Sequence, residues 1–400
     1  MLKNSSIKHN NWVIVFLLFC SSLIMAQNKY VISKDLKWSE KTALSILNNY
    51  PKAWQIDGNE KPKWDYKMGF LLFSFEKLYQ KTNDSKYLNY IKEYADEMID
   101  SSGNIKKYDE KEYNIDYVNP GKILFNLYDV TKDNRYQKVI VQLRKQLENQ
   151  PRTASGGFWH KQIYPNQMWI DGLYMAEPFY TQFTVKYENG KSLDDIAKQF
   201  ELVYDHLLDK KSGLPYQCWD ESKQIAWANP ETGTSPTIWG RGIGWYMMAL
   251  VETLDYYPKN HPKQKELVRY LNEISKNAIQ YKSKSGLWYQ VADKPELKGN
   301  YLEPSASAMI IYALAKGTDK GYLSSNYKKI AQKSFDAFVK EFVKTDENGQ
   351  VNILNVSPSV GLGGKPFRDG TNEYYISGKT KDNGSPALAA FLLSALELDK

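Results

Sequence analysis

A chain of 400 residues has room for two average domains or one large repetitive one. Its formal charge is +7, but the Lys and Arg residues form no basic block, which argues against a nucleic-acid partner and suits a small anionic ligand or an anionic polysaccharide. Composition is that of an ordinary globular protein except for eleven Trp and thirty Tyr, an excess that lines sites stacking on flat ligands such as sugar rings or builds an aromatic core.

The chain begins "MLKNSSIKHNNWVIVFLLFCSSLIMAQ". Lys3 and Lys8 give a basic start, Trp12 to Met25 an apolar run and Ala26 a small residue before Gln27, the pattern of a signal peptide and too short a run to span a bilayer comfortably. Residues 1–26 are therefore set apart, an exported protein is expected, and residues 27–400 are read as one domain without a membrane span. Phe19 is large where a lipid anchor at Cys20 would need a small residue. Without Cys20 only Cys218 remains, so the exported chain has no intramolecular disulfide. The four His residues, His9, His160, His206 and His261, lack metal-ligand spacing, and no metal is expected. The glycines of "VGLGGKP", Val360 to Pro366, imitate a phosphate loop only loosely, since no strand precedes them and no Ser or Thr follows Lys365. They are read as a loop.

Helical 3-4 spacing predicts twelve helices: 39–50, 64–82, 84–100, 117–131, 133–149, 171–186, 191–209, 237–257, 264–281, 303–317, 323–343 and 384–399. The odd-numbered ones are amphipathic, as in "DSKYLNYIKEYADEMID", and need one wet face. The even-numbered ones, such as "SASAMIIYALAKG" and "GSPALAAFLLSALEL", are apolar nearly all round and must be buried. Alternation of wet and buried helices is what a double ring produces: an all-α (α/α)6 barrel, six inner helices inside six outer ones. The long loops 150–170, 210–236 and 344–383 would then gather at one end, over the mouth of the inner ring.

Three stretches lead into inner helices with chemistry-bearing residues. In "NIDYVNPGKILFNLYDVT", Asp116 precedes Asn119 and Pro120, a helix-start device that does not exclude catalysis. In "YPNQMWIDGLYMAEPFY", Asp171 lies among Trp, Met, Leu and Tyr, where a carboxylate is costly unless it is paired, caps a helix or stays protonated. On neighbouring inner helices the two acids could face each other, and their pKa values would be pushed apart. In "WDESKQIAWANPETGTSPTIWGRGIGWYMM", Gly240, Gly242 and Gly244 each cost about 1 kcal/mol in a helix relative to Ala. Close helix packing, or room for a ligand, must offset that. Arg241, between Trp239 and Trp245, suits bidentate binding of a carboxylate or an internal ion pair.

These stretches resemble the unsaturated glucuronyl and rhamnogalacturonyl hydrolases of glycoside hydrolase family 105, relatives of family 88. "GGFWHKQIYPNQMWIDGLYMAEPFY" and "WDESKQIAWANPETGTSPTIWGRGIGWY" look like the two most specific blocks of that family. "YLEPSASAMIIYALAKG" and "RDGTNEYYISG" look like its C-terminal ones. The resemblance implies an (α/α)6 barrel and hydration of the 4,5-double bond that polysaccharide lyases leave in a non-reducing-end uronic acid. It implies no cofactor and an anionic oligosaccharide as the partner. Asp171 would be the general acid and base with Asp116 beside it, Trp239 and Arg241 would bind the unsaturated sugar, and Trp64 and Tyr66 would help form the pocket wall. Trp245, Gln217 and Asn166 are further candidates for substrate contact. Gln217 and Asn166 stand where such enzymes often have His, and "KDNGSPALAAF" replaces a more usual Asp-Pro-Lys-Gly-like run. These departures touch substrate choice and leave rhamnogalacturonan and ulvan fragments both open. Two other readings use the same residues: an inverting glycosidase with Asp116 and Asp171 as acid and base, and a sugar-binding protein that would not need Asp171.

Overall fold

Residues 29–399 are described by a computed structural model; the proposed signal segment lies outside the described residues. Twelve long helices follow the expected order: α1 (Trp38–Asn49), α2 (Tyr66–Thr82), α3 (Ser85–Met98), α4 (Lys122–Thr131), α5 (Asn134–Asn149), α6 (Ile170–Tyr187), α7 (Leu193–Leu207), α8 (Gly240–Leu254), α9 (Gln264–Gln280), α10 (Pro304–Asp319), α11 (Ser325–Phe342) and, after the short α12 (Asn372–Ser377), α13 (Ser385–Leu398). Capping residues set many of the starts. Asp65 accepts from the backbone N–H groups of Lys67 and Met68, and Glu303 from that of Ala306 at 2.7 Å.

The inner ring closes in the order α2, α4, α6, α8, α10, α13 and back to α2, with α6 meeting α4 through the 119–121 turn. Outside it, α1 covers α13 and α2, α3 covers α2 and α4, α5 covers α4 and α6, α7 lies on α6, α9 on α8, and α11 on α10 and α13. This is the (α/α)6 barrel. Every residue of α8 is buried, whereas outer helices such as α9 bury one stripe, Leu267, Leu271, Ile274 and Ala278, so the two sequence patterns correspond to the two rings. The glycines of α8 are explained by packing. A Cβ on Gly240 would come 2.2 Å from the Tyr289 carbonyl oxygen, and one on Gly244 would come 2.6 Å from Met309 Cβ on α10.

Most expected boundaries shift by one to three residues, as for α8, which spans Gly240–Leu254 instead of 237–257, and one start differs more. The helix expected at 117–131 begins only at Lys122, because residues 115–117 and 119–121 form two 3-10 turns. Asn114 accepts from the Asp116 backbone N–H at 3.1 Å and Pro120 takes the next first turn, so the chain bends twice before entering the ring, and Asp116 sits on the first bend.

The long loops are tied together beside the N-terminal ends of the inner helices. Strand β1 (Gln167–Trp169) pairs antiparallel with β2 (Cys218–Asp220), Trp169 opposite Cys218. Arg368 donates to the Tyr164 hydroxyl at 3.0 Å, and Gln290 to the Ser357 hydroxyl at 2.9 Å. A second hairpin, β3 (Val343–Thr345) with β4 (Val351–Ile353), packs beside α1. The glycines around Gly361 lie in a loop. Among the described residues no helix is long and apolar enough to cross a membrane.

Candidate active site

Asp171 is the second residue of α6, and it is not a cap: the capping position belongs to Trp169, which makes no side-chain bond to the helix. The helix-cap alternative therefore falls away. The residues around it, Ile170, Leu173 and Tyr174, are buried, while Asp171 keeps an edge open to solvent. Its Oδ1 has no hydrogen-bond partner in the protein. Burial raises its pKa, His160 opposes the rise and the charge of Asp116 adds to it, leaving the carboxyl above its ordinary range.

Asp116 has the opposite balance. Burial alone would raise it, but Lys161 Nζ at 2.7 Å and His160 Nε2 at 3.3 Å outweigh burial and hold the carboxyl well below the usual carboxylate range. The turn carrying Asp116 packs on α6, and the peptide before it is fixed by the Ile115 N–H donating to the His160 carbonyl at 3.0 Å. Two carboxyls of one site are thus driven apart, one toward the acid and one toward the anion.

His160 and Lys161 were not singled out in the sequence. The only trace is their place in "GGFWHKQIYPNQMWID", on a loop whose course no periodicity reveals. His160 is buried, stacks on Trp169 with ring centroids 4.8 Å apart, and leaves Nδ1 without a partner. The position of Lys161 has a measurable consequence. It lowers the pKa of both acids, so in Lys161→Met both should titrate higher. An activity that requires Asp116 ionised and Asp171 protonated is lost at low pH through Asp116 and at high pH through Asp171. Both limbs of the kcat/KM profile should therefore move to higher pH, and limbs that stay in place would remove Lys161 from this role.

The aromatic and polar candidates divide into groups. Tyr66, at the start of α2, is half-buried and feels the charges of Asp116, Arg241 and Asp171; burial, the largest cause, pushes its phenol up. Trp239 caps α8 with its ring 6.3 Å from that of Tyr375, and its Nε1 lacks a partner. Gln217 is buried, accepts from the Tyr375 hydroxyl and leaves Nε2 unpaired. Its neighbour Cys218 is a free, buried thiol that burial raises first and Asp171 raises further.

Other residues have structural duties. Trp64 is buried and donates to the Tyr117 carbonyl at 2.8 Å, so it supports the Asp116 turn from behind and does not form an open wall as expected. Trp245 is buried against Phe70 and Tyr174, each 4.8 Å away between centroids; it packs the ring interior. Asn166 lies apart from the acid pair, in a groove outside the mouth.

Arg241 is anchored internally. Nη1 donates to Ser305 Oγ at 3.0 Å and the Ser357 carbonyl at 3.2 Å, Nη2 donates to the Pro358 carbonyl at 2.6 Å, and Glu303 lies 3.9 Å away. Most of the ion-pair alternative is met. Nε is used by none of these bonds, and the group lies 4.9 Å over the Trp239 ring.

The model of Glycosyl Hydrolase Family 88 matches residues 38–400. The unsaturated rhamnogalacturonyl hydrolase YesR of Bacillus subtilis (strain 168) is 27% identical over 333 residues, covering 82% of this chain and 88% of that protein. A solved family 105 glycoside hydrolase from C. acetobutylicum ATCC 824 superimposes with a TM-score of 0.87 at 41% identity, covering 90% of this chain and 99% of the other. The unsaturated glucuronyl hydrolase of Bacillus sp. GL1 shares the fold, with a TM-score of 0.64 at 14% identity and coverage of 90% and 94%. The barrel and these matches agree, and the chain belongs to the glycoside hydrolases of families 88 and 105, the unsaturated glucuronyl and rhamnogalacturonyl hydrolases.

Proposed function

We propose that the protein hydrates the 4,5-double bond of an unsaturated uronic acid at the non-reducing end of lyase-generated oligosaccharides, of rhamnogalacturonan or ulvan type. The observation that carries this reading is the split pair, with Asp171 raised by burial and lacking a partner for Oδ1 while Asp116 is held ionised. Protonating a carbon of an enol ether needs an undissociated acid in reach, and the burial that raises Asp171 favours that form. Asp171 delivers its proton to C4, and positive charge develops at C5, stabilised by the ring oxygen and by the Asp116 anion. Water adds at C5 and gives its proton to the Asp171 carboxylate, which restores the acid. The hemiketal so formed opens at C5–O5 to a C5 ketone and leaves a hemiacetal at C1, whose collapse breaks the C1–O bond to the next sugar. Trp239 and Arg241, whose Nε takes no part in its internal bonds, are assigned to the sugar and its carboxylate, with Gln217 Nε2 and Tyr66 as further polar contacts. The signal-like residues 1–26 support the reading of an exported enzyme acting on oligosaccharides left by lyases.

The test follows the ultraviolet absorbance of the double bond, then the fate of the isotopes. In heavy water deuterium should appear on C4, and oxygen from labelled water should enter at C5. Saturated uronides should be inert. Label at C1 with an unlabelled C4 would instead establish ordinary glycoside hydrolysis by the same two aspartates.

A further inference from the structure

Outside the mouth runs a groove of about 770 Å³ built from three separate loops. Asn166 and Gln167 come from the loop entering β1, Ser222 and Gln224 from the turn after β2, and Gly364 and Lys365 from the long C-terminal loop. We propose that this groove holds the second and third sugars of the substrate, so that the enzyme reads chain beyond the unsaturated residue; the inference rests on the function proposed above.

Continuity with the acid pair is the first argument. Gln167 and Asp171 are four residues apart along the chain, so at about 3.3–3.6 Å per residue their backbones are at most ~14 Å apart. The following sugars of a chain held at Asp171 can bridge that span. Side chains also connect the two places, for Tyr164 at the groove stacks on Trp169 at 5.1 Å, and Trp169 stacks on His160, the residue that holds Asp116.

The lining chemistry is the second argument. Amides and a hydroxyl beside the apolar surface of Ile225 and Tyr164 match a pyranose, which has apolar faces and a hydroxyl edge. Exposed Ile163 lines the same groove. The one acid in the lining, Asp220, turns inward and accepts from the backbones of Ser222, Gln224 and Ile225. Lys365 has no ion-pair partner among the described residues. The groove therefore tolerates an anionic chain and attracts it.

The groove is also rigid. Asn166 adopts φ of 58°, and its carbonyl accepts from the Glu221 N–H at 3.0 Å. Arg368 clamps the opposite rim, donating to the carbonyls of Gly363 at 2.8 Å and Leu362 at 3.0 Å as well as to Tyr164. A site formed before binding loses less freedom when a ligand enters.

The experiment compares an unsaturated disaccharide with the tetrasaccharide of the same repeat, by loss of double-bond absorbance, for wild type and for the double variant Asn166→Gly/Gln224→Ala. Glycine keeps the left-handed backbone of position 166 accessible. Wild type should favour the tetrasaccharide by about tenfold in kcat/KM, carried by KM, the effect of one or two hydrogen bonds. In the variant the ratio should fall to within about twofold of one. A wild type indifferent to length, or a variant that keeps the preference, overturns the subsite while leaving hydration of the disaccharide established. No absorbance loss at any length removes the proposed function, and the groove's role with it.

Discussion

Asp171→Asn should lower kcat on an unsaturated uronyl oligosaccharide by about 10² to 10⁴, the usual effect of losing a general acid or base. That is roughly 3 to 5 kcal/mol of transition-state stabilisation. The amide has nearly the shape of the carboxyl but can neither release a proton to C4 nor accept one from water. Little should change in the fold, because Asp171 caps nothing and its Oδ1 has no partner to lose. Replacing an acid that burial already disfavours as an anion removes no ion pair, so urea unfolding should shift by no more than about 1 kcal/mol. Substrate should still saturate the variant. A rate within about tenfold of wild type would take the chemistry away from Asp171 and shift it to Asp116, held as an anion by Lys161 and His160. Asp116 would then have to act as a base.

The double ring was legible because its two helix types bury different fractions of their surface, and burial writes itself into sequence as periodicity. Gly240 and Gly244 announced close packing for the same reason. Asp171 was legible as an acid with no evident partner nearby in the chain. Residues whose partners are distant in sequence were not. Arg241 depends on Ser305, Ser357 and Pro358, and nothing in "WGRGIGW" reveals whether its fork is free. His160 and Lys161 act on Asp116 from a loop some forty-four residues later, read from the numbering. Strands β1 and β2 pair over only three residues each, too few for an alternating pattern to be seen, yet they place Trp169 and Gln217 at the site. The two turns before α4 escaped because Pro and Gly signal a helix start without giving its exact residue.

The apolar look of the inner helices also concealed buried ionisable groups. Glu76 of α2, Lys122 of α4, Glu252 of α8 and Lys316 of α10 are all buried inside the barrel. Lys316 Nζ lies 2.8 Å from Glu252 and 2.6 Å from Asp255, and the Tyr312 hydroxyl also donates to Glu252. Lys122 lies 3.6 Å over the Tyr174 ring, and burial pushes it down to about 7, while burial pushes Glu76 up to about 7. For Lys316 burial acts to lower the pKa but Glu252 and Asp255 outweigh it and raise it, so the stability it contributes is complete below the ordinary lysine range and lost only as pH rises through that raised value. Lys316→Met fills the same space without charge and leaves Glu252 buried beside a tyrosine. Removing one partner of such a pair costs about 3–5 kcal/mol. A buried carboxyl left without its cation costs more as an anion than as the neutral acid, so the loss is greater where the anion is favoured, at higher pH. Urea unfolding should therefore show a deficit that is smaller at pH 5 than at pH 8. Adding Glu252→Gln should recover part of the loss, because the uncompensated charge is then gone. A deficit below about 1 kcal/mol at pH 8, or one that does not vary with pH, would mean that the interior ion pair is not what joins α8 to α10.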